Sequence, residues 1–182
     1  DFQMTQQGTY RVSTAGEPFY FASWPEAGER KRWRGTLETL RAEGVDKKPD
    51  VQISLSNRRV ETFVTLGAPS TEVFSATGKG LEFQPVTHPN DVFTGEPVSF
   101  RFLLDGAPAS GLEVTVLPGN DRYRDTPGER KLTTDADGVF TFTPTIPGPY
   151  WFTAGSEGET VIDGLPMKVR SSYTATFEAL PL

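Results

Sequence analysis

The chain has 182 residues, a formal net charge of −6 and no cysteine. This charge argues against nucleic acid as a partner, because phosphate binding depends on an excess of Lys and Arg. Without cysteine there is no disulfide, no thiolate nucleophile and no Cys-rich structural zinc site. The 18 Gly and 15 Pro, together with frequent Thr, Val and Phe, favour short strands joined by turns. We therefore predict an all-β protein.

Neither a membrane span nor a signal peptide is visible in the sequence. No stretch approaches the roughly 18 apolar residues that a spanning helix needs. Residues 1–20 lack the basic and then apolar pattern of a secretory signal. We expect a chain that does not span a membrane and that has already been processed or trimmed.

The beginning of the chain is similar to a later part of it. Residues 2–12 can be laid over residues 142–152, which aligns two glycines and two tyrosines, Gly8 with Gly148 and Tyr10 with Tyr150. A Gly-x-Tyr sequence at the start of a late strand is typical of a sandwich. This weak repeat predicts a first β-domain, residues 1–85, that lacks its N-terminal strands.

The first domain contains the only helix candidate. A strand is predicted over residues 19–22, and the helix follows between Gly35 and Gly44. Alternating apolar and polar residues on both sides of Ser56-Asn57-Arg58 then predict a hairpin. We place the domain boundary near Pro85.

Residues 86–182 predict a complete second domain. They contain about seven short strands, which is the density of an immunoglobulin-like sandwich. Asp137-Gly138 provides the positive φ of a tight hairpin turn. Aromatic residues follow at period two, at Phe140 and Phe142, and again after a Pro-Gly-Pro break, at Tyr150 and Phe152. This pattern predicts a three-stranded meander with its aromatic side chains in the core.

One stretch combines aromatic and basic residues densely: Trp24, Arg30, Lys31, Arg32, Trp33 and Arg34. Aromatic faces stack on sugars or organic ligands, and neighbouring guanidinium groups bind carboxylate or phosphate with two hydrogen bonds. The alternative interpretation is structural, with Trp33 as an anchor and the arginines laid across it. A second loop repeats the composition at Arg122, Tyr123 and Arg124. If the two loops converge, they form a ligand-binding groove.

His88 is the only histidine and precedes Asp91 by three residues. A metal site at this pair would need further carboxylate ligands, because the chain has no cysteine. A hydrogen-bonded structural histidine is the alternative. As a catalytic base, His88 lacks an identifiable nucleophile such as the serine of Gly-x-Ser-x-Gly. We therefore predict no catalytic residue and no enzymatic activity.

Several stretches are similar to an uncharacterised bacterial periplasmic family: residues 21–24, 31–35, 60–69, 85–96, 122–125 and 172–181. The family is known as the periplasmic component of ABC-type nickel or cobalt uptake. Its second domain is transthyretin-like or immunoglobulin-like. The resemblance covers nearly the whole chain and implies two sandwich domains. It also implies an exported, periplasmic protein of a Gram-negative bacterium, with the signal peptide removed.

The residue patterns and the family resemblance together predict a non-enzymatic exported β-protein. It would assist nickel, cobalt or other solute uptake at the bacterial envelope by binding a small ligand or an envelope transport protein. A divalent transition metal is the one cofactor considered. Two alternatives stay open, a structural protein-interaction module and a carbohydrate-binding module that uses Trp24 and Trp33. The exposure of these two rings tests the carbohydrate-binding alternative, because a buried ring cannot stack on a sugar.

Overall fold

The structure, a computed structural model, describes residues 3–15, 18–119 and 125–182. Within these ranges it contains one short α-helix, α1 (Leu37–Ala42), and single 3-10 turns at Val45–Lys47 and Glu72–Phe74. No helix in the described ranges is long and apolar enough to cross a bilayer. All other regular elements are strands, which confirms the all-β prediction. They are β1 (Gly8–Ala15), β2 (Phe19–Glu26), β3 (Glu29–Gly35), β4 (Gln52–Leu66), β5 (Leu81–Pro85), β6 (Val98–Leu104), β7 (Ala107–Pro108), β8 (Glu113–Pro118), β9 (Arg130–Thr133), β10 (Val139–Phe142), β11 (Gly148–Ile162) and β12 (Leu165–Ala179).

The chain forms two compact units. Unit 1 comprises residues 1–14, 59–155 and 173–182, and unit 2 comprises residues 15–58 and 156–172. The long strands β4, β11 and β12 each supply residues to both units. This division differs from the predicted boundary near Pro85. The reason is that β5, which ends at Pro85, pairs with β6 along its whole length, so that both strands belong to unit 1.

Unit 1 is a sandwich of two sheets around an aromatic core. One sheet has the order β10-β6-β5, with β7 beside β6. The other contains β9, β8, β11, β12, β4 and β1 in that order. Phe102 of β6 lies 5.3 Å from Tyr173 of β12, and Phe100 of β6 lies 5.5 Å from Phe152 of β11, between ring centroids. Each such ring buries about 150–250 Å², so these contacts join the two sheets.

Unit 2 has a smaller core beneath α1. Oγ1 of Thr36 accepts a hydrogen bond from the backbone N–H of Thr39, and Oγ1 of Thr39 accepts one from the backbone N–H of Thr36, which forms a capping box. Gly44, in the left-handed conformation with φ 65°, follows the end of the helix. Leu40 is fully buried in a core that also contains Trp24, Ile53, Leu55 and Met167. The helix predicted between Gly35 and Gly44 is therefore α1.

The turn at Asp137-Gly138 connects the two sheets of unit 1 and does not close a hairpin. β9 pairs with β8, whereas β10 pairs with β6 in the other sheet. β11 then returns to pair with β8. The predicted meander is therefore wrong, although Phe140 and Phe142 are buried as expected. Gly138 has φ 74°, and a Cβ there would lie 2.4 Å from the carbonyl oxygen of Phe102, so glycine is required by this approach to β6.

β4 passes without a break through the predicted turn at Ser56-Asn57-Arg58. It is one strand of 15 residues, and its odd-numbered positions face the interior at both ends, with Ile53 and Phe63 buried. The predicted hairpin is therefore wrong.

The internal repeat has a structural counterpart in unit 1. Gly8 has φ 121° and Gly148 has φ 120°, and each begins a strand. The hydroxyls of Tyr10 and Tyr150 each donate to the carbonyl oxygen four residues upstream, at 2.8 and 3.0 Å. The starts of β1 and β11 therefore share one local conformation, a form of tyrosine corner.

Candidate ligand-binding site

The hairpin of β2 and β3 carries the aromatic and basic cluster. Its turn, residues 27–28, has positive φ at both positions. Trp24 pairs with Lys31, and Ala22 pairs with Trp33. Directly opposed residues of an antiparallel pair project to the same face, and successive residues project to opposite faces. The register therefore divides the cluster into an inner and an outer set.

Both tryptophans belong to the inner set. Trp24 is buried, with 8% of its surface exposed, in the core of unit 2. Trp33 is half-buried against the same core, and its indole N–H donates to Oε2 of Glu43 at 2.9 Å. These contacts agree with the structural interpretation of the two side chains. Carbohydrate binding through this pair is not available in this conformation, because the Trp24 ring is not accessible to a sugar.

The outer set contains Phe19 and Phe21 of β2 and Arg30, Arg32 and Arg34 of β3, and we call it the arginine face. The two phenylalanines are 42% and 39% exposed. The guanidinium carbon of Arg34 lies 4.1 Å from the ring centroid of Phe19 and 5.6 Å from that of Phe21. A stacked guanidinium keeps the N–H groups at its edge available to an acceptor.

None of the three arginines has an acidic partner among the described residues. Arg30 is anchored, because it donates to Oγ of Ser23 at 2.9 Å and to Oε1 of Gln52 at 2.5 Å. For the exposed Arg32 and Arg34, the described part of the chain places no carboxylate oxygen within 4.0 Å of the guanidinium. The arginine face therefore combines unpaired positive charge with exposed aromatic rings, on a chain of net charge −6.

Phe19 and Phe21 were not among the predicted ligand-binding residues. They can be identified from the alternation of side-chain direction along β2. Trp24 occupies an even position of that strand, so odd positions such as Phe19 and Phe21 project to the other face. Of the predicted residues, Arg34 is directly opposite Phe21, and Arg32 is directly opposite Ser23 on the same face.

The second predicted stretch, Arg122, Tyr123 and Arg124, lies outside the described residues. Its convergence with the β2–β3 hairpin therefore stays a prediction.

His88 is held in place by hydrogen bonds to protein groups. The backbone N–H of Asn90 donates to Nδ1 at 3.1 Å, so the neutral ring carries its proton on Nε2. Nε2 lies 3.0 Å from Oγ1 of Thr9 and 3.2 Å from the carbonyl oxygen of Ser70. Asp91 is exposed. Both ring nitrogens are thus engaged, as in the structural interpretation of this histidine.

The donor set around His88 does not fit a transition metal as it stands. Such a site needs three or four protein ligands, and one engaged imidazole with the nearby Asp91 supplies fewer. In the ranges that the structure covers, no three His, Asp or Glu side chains are grouped closely enough to hold an ion. Metal binding by His88 and Asp91 stays a prediction, which calorimetric titration with nickel and cobalt tests.

Two buried carboxylates stabilise unit 1. Oε2 of Glu61 accepts a hydrogen bond from the hydroxyl of Tyr173 at 2.5 Å. Glu82 accepts three bonds of 2.7–2.8 Å from residues 77–78. Burial by itself would raise the pKa of Glu82, but these hydrogen bonds and the nearby Arg59 outweigh burial and lower the pKa. Both carboxylates therefore have internal partners, as structural groups do.

Fold and site together define an all-β sandwich protein with a cationic and aromatic surface on one hairpin. Residues 1–158 match the family described as a domain of unknown function, DUF4198, and the chain belongs to this family. No curated protein matches the chain. The solved structures that match include a "putative carbohydrate binding protein" from Pseudomonas aeruginosa. The sequence identity is 14% and the TM-score is 0.31. The match covers 60% of this chain and 90% of that chain. A TM-score of this size does not establish a common fold, so the ligand named for that protein is not transferred.

Proposed function

We propose that the protein is a non-enzymatic binding protein whose arginine face binds a ligand with several carboxylates. The observation that carries the proposal is the stacking of Arg34 on Phe19, on the same face as Arg32, with no acidic partner for either arginine among the described residues. The stacked guanidinium is already ordered, so little side-chain freedom is lost when its N–H groups bind a carboxylate.

The strength of exposed ion pairs favours a polyvalent ligand. A single exposed pair contributes at most about 1 kcal/mol, which is too little for useful affinity. Alternate residues of a strand are about 6.5–7 Å apart, so a polymer with repeated carboxylates can contact Arg32 and Arg34 together. The net charge of −6 repels such a ligand from most of the surface and leaves the arginine face as its preferred position.

We extend the proposal to the bacterial periplasm because of the family resemblance. In that setting the ligand would be an acidic solute or an acidic segment of a transport protein. A contribution to nickel or cobalt uptake would then come from docking to the transport partner, and the arginine face would not bind the ion itself. Fractionation of the native host, with antibody detection, tests the location.

The binding proposal is tested by fluorescence anisotropy with fluorescein-labelled octaglutamate at low and at high salt. The wild-type chain should bind at low salt and lose affinity as salt is added. Arg32→Ala/Arg34→Ala should weaken binding by at least about tenfold, because both carboxylate contacts are lost. Arg34→Lys keeps the charge but loses the planar fork, and should weaken binding by about threefold.

A matched double variant separates the arginine face from net charge. Lys79→Ala/Lys131→Ala also removes two exposed positive charges, but from unit 1. Lys131 pairs only with Glu113 in the described residues, at 3.5 Å on the surface, so the change should leave the fold intact. This variant should bind within about twofold of the wild type. Equal losses in the two double variants would show that only total charge matters and would overturn the proposal.

A further inference from the structure

β3 has an open edge. It is the last strand in the order β3-β2-β4, and no described residue pairs with the side of β3 that faces away from β2. The strand runs for seven residues, Glu29–Gly35, and four of these are exposed while three are half-buried. Alternate N–H and C=O groups along such an edge can pair with another strand.

The side chains on this edge disfavour pairing with a second copy of β3 and favour pairing with an acidic strand. A second copy of β3 would bring arginine opposite arginine, and like charges directly opposite each other destabilise a pair of strands. An acidic residue opposite an arginine contributes about 0.2–1 kcal/mol instead. Carboxylates at every second position would match the alternation of Arg30, Arg32 and Arg34 on the outer face. Charge complementarity therefore selects an acidic partner over self-association.

The inner side of β3 adds a preference for apolar residues between the acids. Trp33 projects to the inner side and is only half-buried, so part of its ring is available to a neighbouring strand. Cross-strand pairs of an aromatic and a β-branched residue are favourable. The edge thus fits a sequence in which acidic and apolar residues alternate.

We propose that β3 captures an extended peptide of alternating acidic and apolar residues by β-strand addition. The inference rests on the proposed function, because the same arginines hold the acidic side chains. Backbone hydrogen bonds to β3 provide affinity that does not depend on sequence, and Arg32 and Arg34 provide the selection for acids. The proposed occupant is therefore a segment of another protein, not a polysaccharide.

The test uses a fluorescein-labelled nonapeptide in which Glu and Val alternate, and two derivatives N-methylated at either the odd or the even positions. Methylation removes N–H donors without changing the charge. An added strand directs only one of the two alternating sets of N–H groups towards β3. One derivative should therefore lose at least about tenfold in affinity, while the other binds nearly as well as the parent peptide. The parent peptide should also bind more tightly than oligogalacturonate of equal charge.

The outcomes separate this inference from the proposed function. If both methylated peptides bind like the parent, and Arg32→Ala/Arg34→Ala still abolishes binding, the face binds carboxylates without strand addition and only this inference fails. Tighter binding of oligogalacturonate than of the peptide also overturns it, in favour of a polysaccharide. If the peptide does not bind the wild-type chain but octaglutamate does, only this inference fails, and if octaglutamate, the peptide and oligogalacturonate all fail to bind, both proposals fail. Circular dichroism of each variant confirms that the fold is retained.

Discussion

Trp33 and Arg34 are neighbours in the sequence and have different environments. The indole of Trp33 packs on the core of unit 2, whereas the guanidinium of Arg34 lies on Phe19 at the surface. Because successive strand residues point to opposite faces, a shift of register by one residue would exchange these environments. The binding property that we propose for Arg34 thus depends on the same pairing with β2 that buries Trp24.

Glu82 gives a prediction about pH at the residue scale. Its folded-state pKa is lowered, and in the unfolded chain it returns to the ordinary value of a glutamate. The stabilisation is therefore fully present above the unfolded pKa and is lost as the pH falls through the folded pKa. Glu82→Gln should lower the free energy of unfolding by about 1–3 kcal/mol at neutral pH, because a charged acceptor of three hydrogen bonds is removed.

Urea unfolding at a series of pH values from about 7 down to 3 checks this expectation. The difference between the wild type and Glu82→Gln should shrink as the pH falls below the ordinary pKa of a glutamate, since the unfolded chain then takes up the proton and the advantage of the charged acceptor declines. Glu113→Gln is the control, because that carboxylate is exposed and pairs on the surface with Lys131. A constant difference between wild type and variant over the whole pH range would contradict the role given to Glu82.

At the scale of elements, the crossing from β9 to β10 depends on Gly138. Gly138→Ala should destabilise the protein by about 2–4 kcal/mol, because a positive φ and a short contact with a backbone oxygen combine. For a chain of this size, that corresponds to a fall in Tm of about 4–16 °C. Scanning calorimetry measures the change.

Gly158→Ala is the matched control for this substitution. A Cβ at Gly158 would meet no atom within 4 Å, and the backbone there does not have the positive φ of Gly138. The Tm of this variant should stay within about 3 °C of the wild type. If Gly138→Ala melts at the same temperature as Gly158→Ala, the close approach to β6 is not a constraint on the fold.

The elements also show what local sequence can and cannot predict. Alternation located the strands, and the breaks at Gly35 and Gly44 located α1, because these signals act within a few residues. The partner of β10 could not be predicted. A glycine such as Gly138 indicates a positive φ or a close contact, but it does not indicate which strand makes that contact. The uninterrupted β4 was missed because Ser56-Asn57-Arg58 has turn-like composition, although the alternation continues through it.

For the candidate site, the high density of arginine and tryptophan in the sequence identified the correct strand. Only the register with β2 separated the exposed aromatic residues from the buried ones.

At the scale of the whole molecule, residues 86–182 should not fold cooperatively when expressed alone. β6 would lose β5 along one edge. The core would also lose Phe83, whose ring lies 5.1–5.7 Å from those of Phe100, Phe152 and Tyr173. Removal of a large buried aromatic side chain alone costs about 3–5 kcal/mol, a large part of the stability of a domain.

Thermal and urea unfolding of this fragment, followed by circular dichroism, checks the expectation against the 182-residue chain. The fragment should show a broad transition and bind a hydrophobic dye, as partly folded chains do. A sharp two-state transition of the fragment would instead support a boundary at residue 85.

The tryptophans provide a natural optical label for each unit. Of the three in the chain, Trp24 and Trp33 lie in unit 2, and Trp151 lies in unit 1. The buried indole N–H of Trp24 has no hydrogen-bond partner among the described residues, so phenylalanine at this position keeps a ring in the core without losing a bond. Trp24→Phe/Trp33→Phe would therefore emit from unit 1 alone, and Trp151→Phe from unit 2 alone. Intrinsic emission of these two variants would reveal whether the units lose their structure at one temperature or at two.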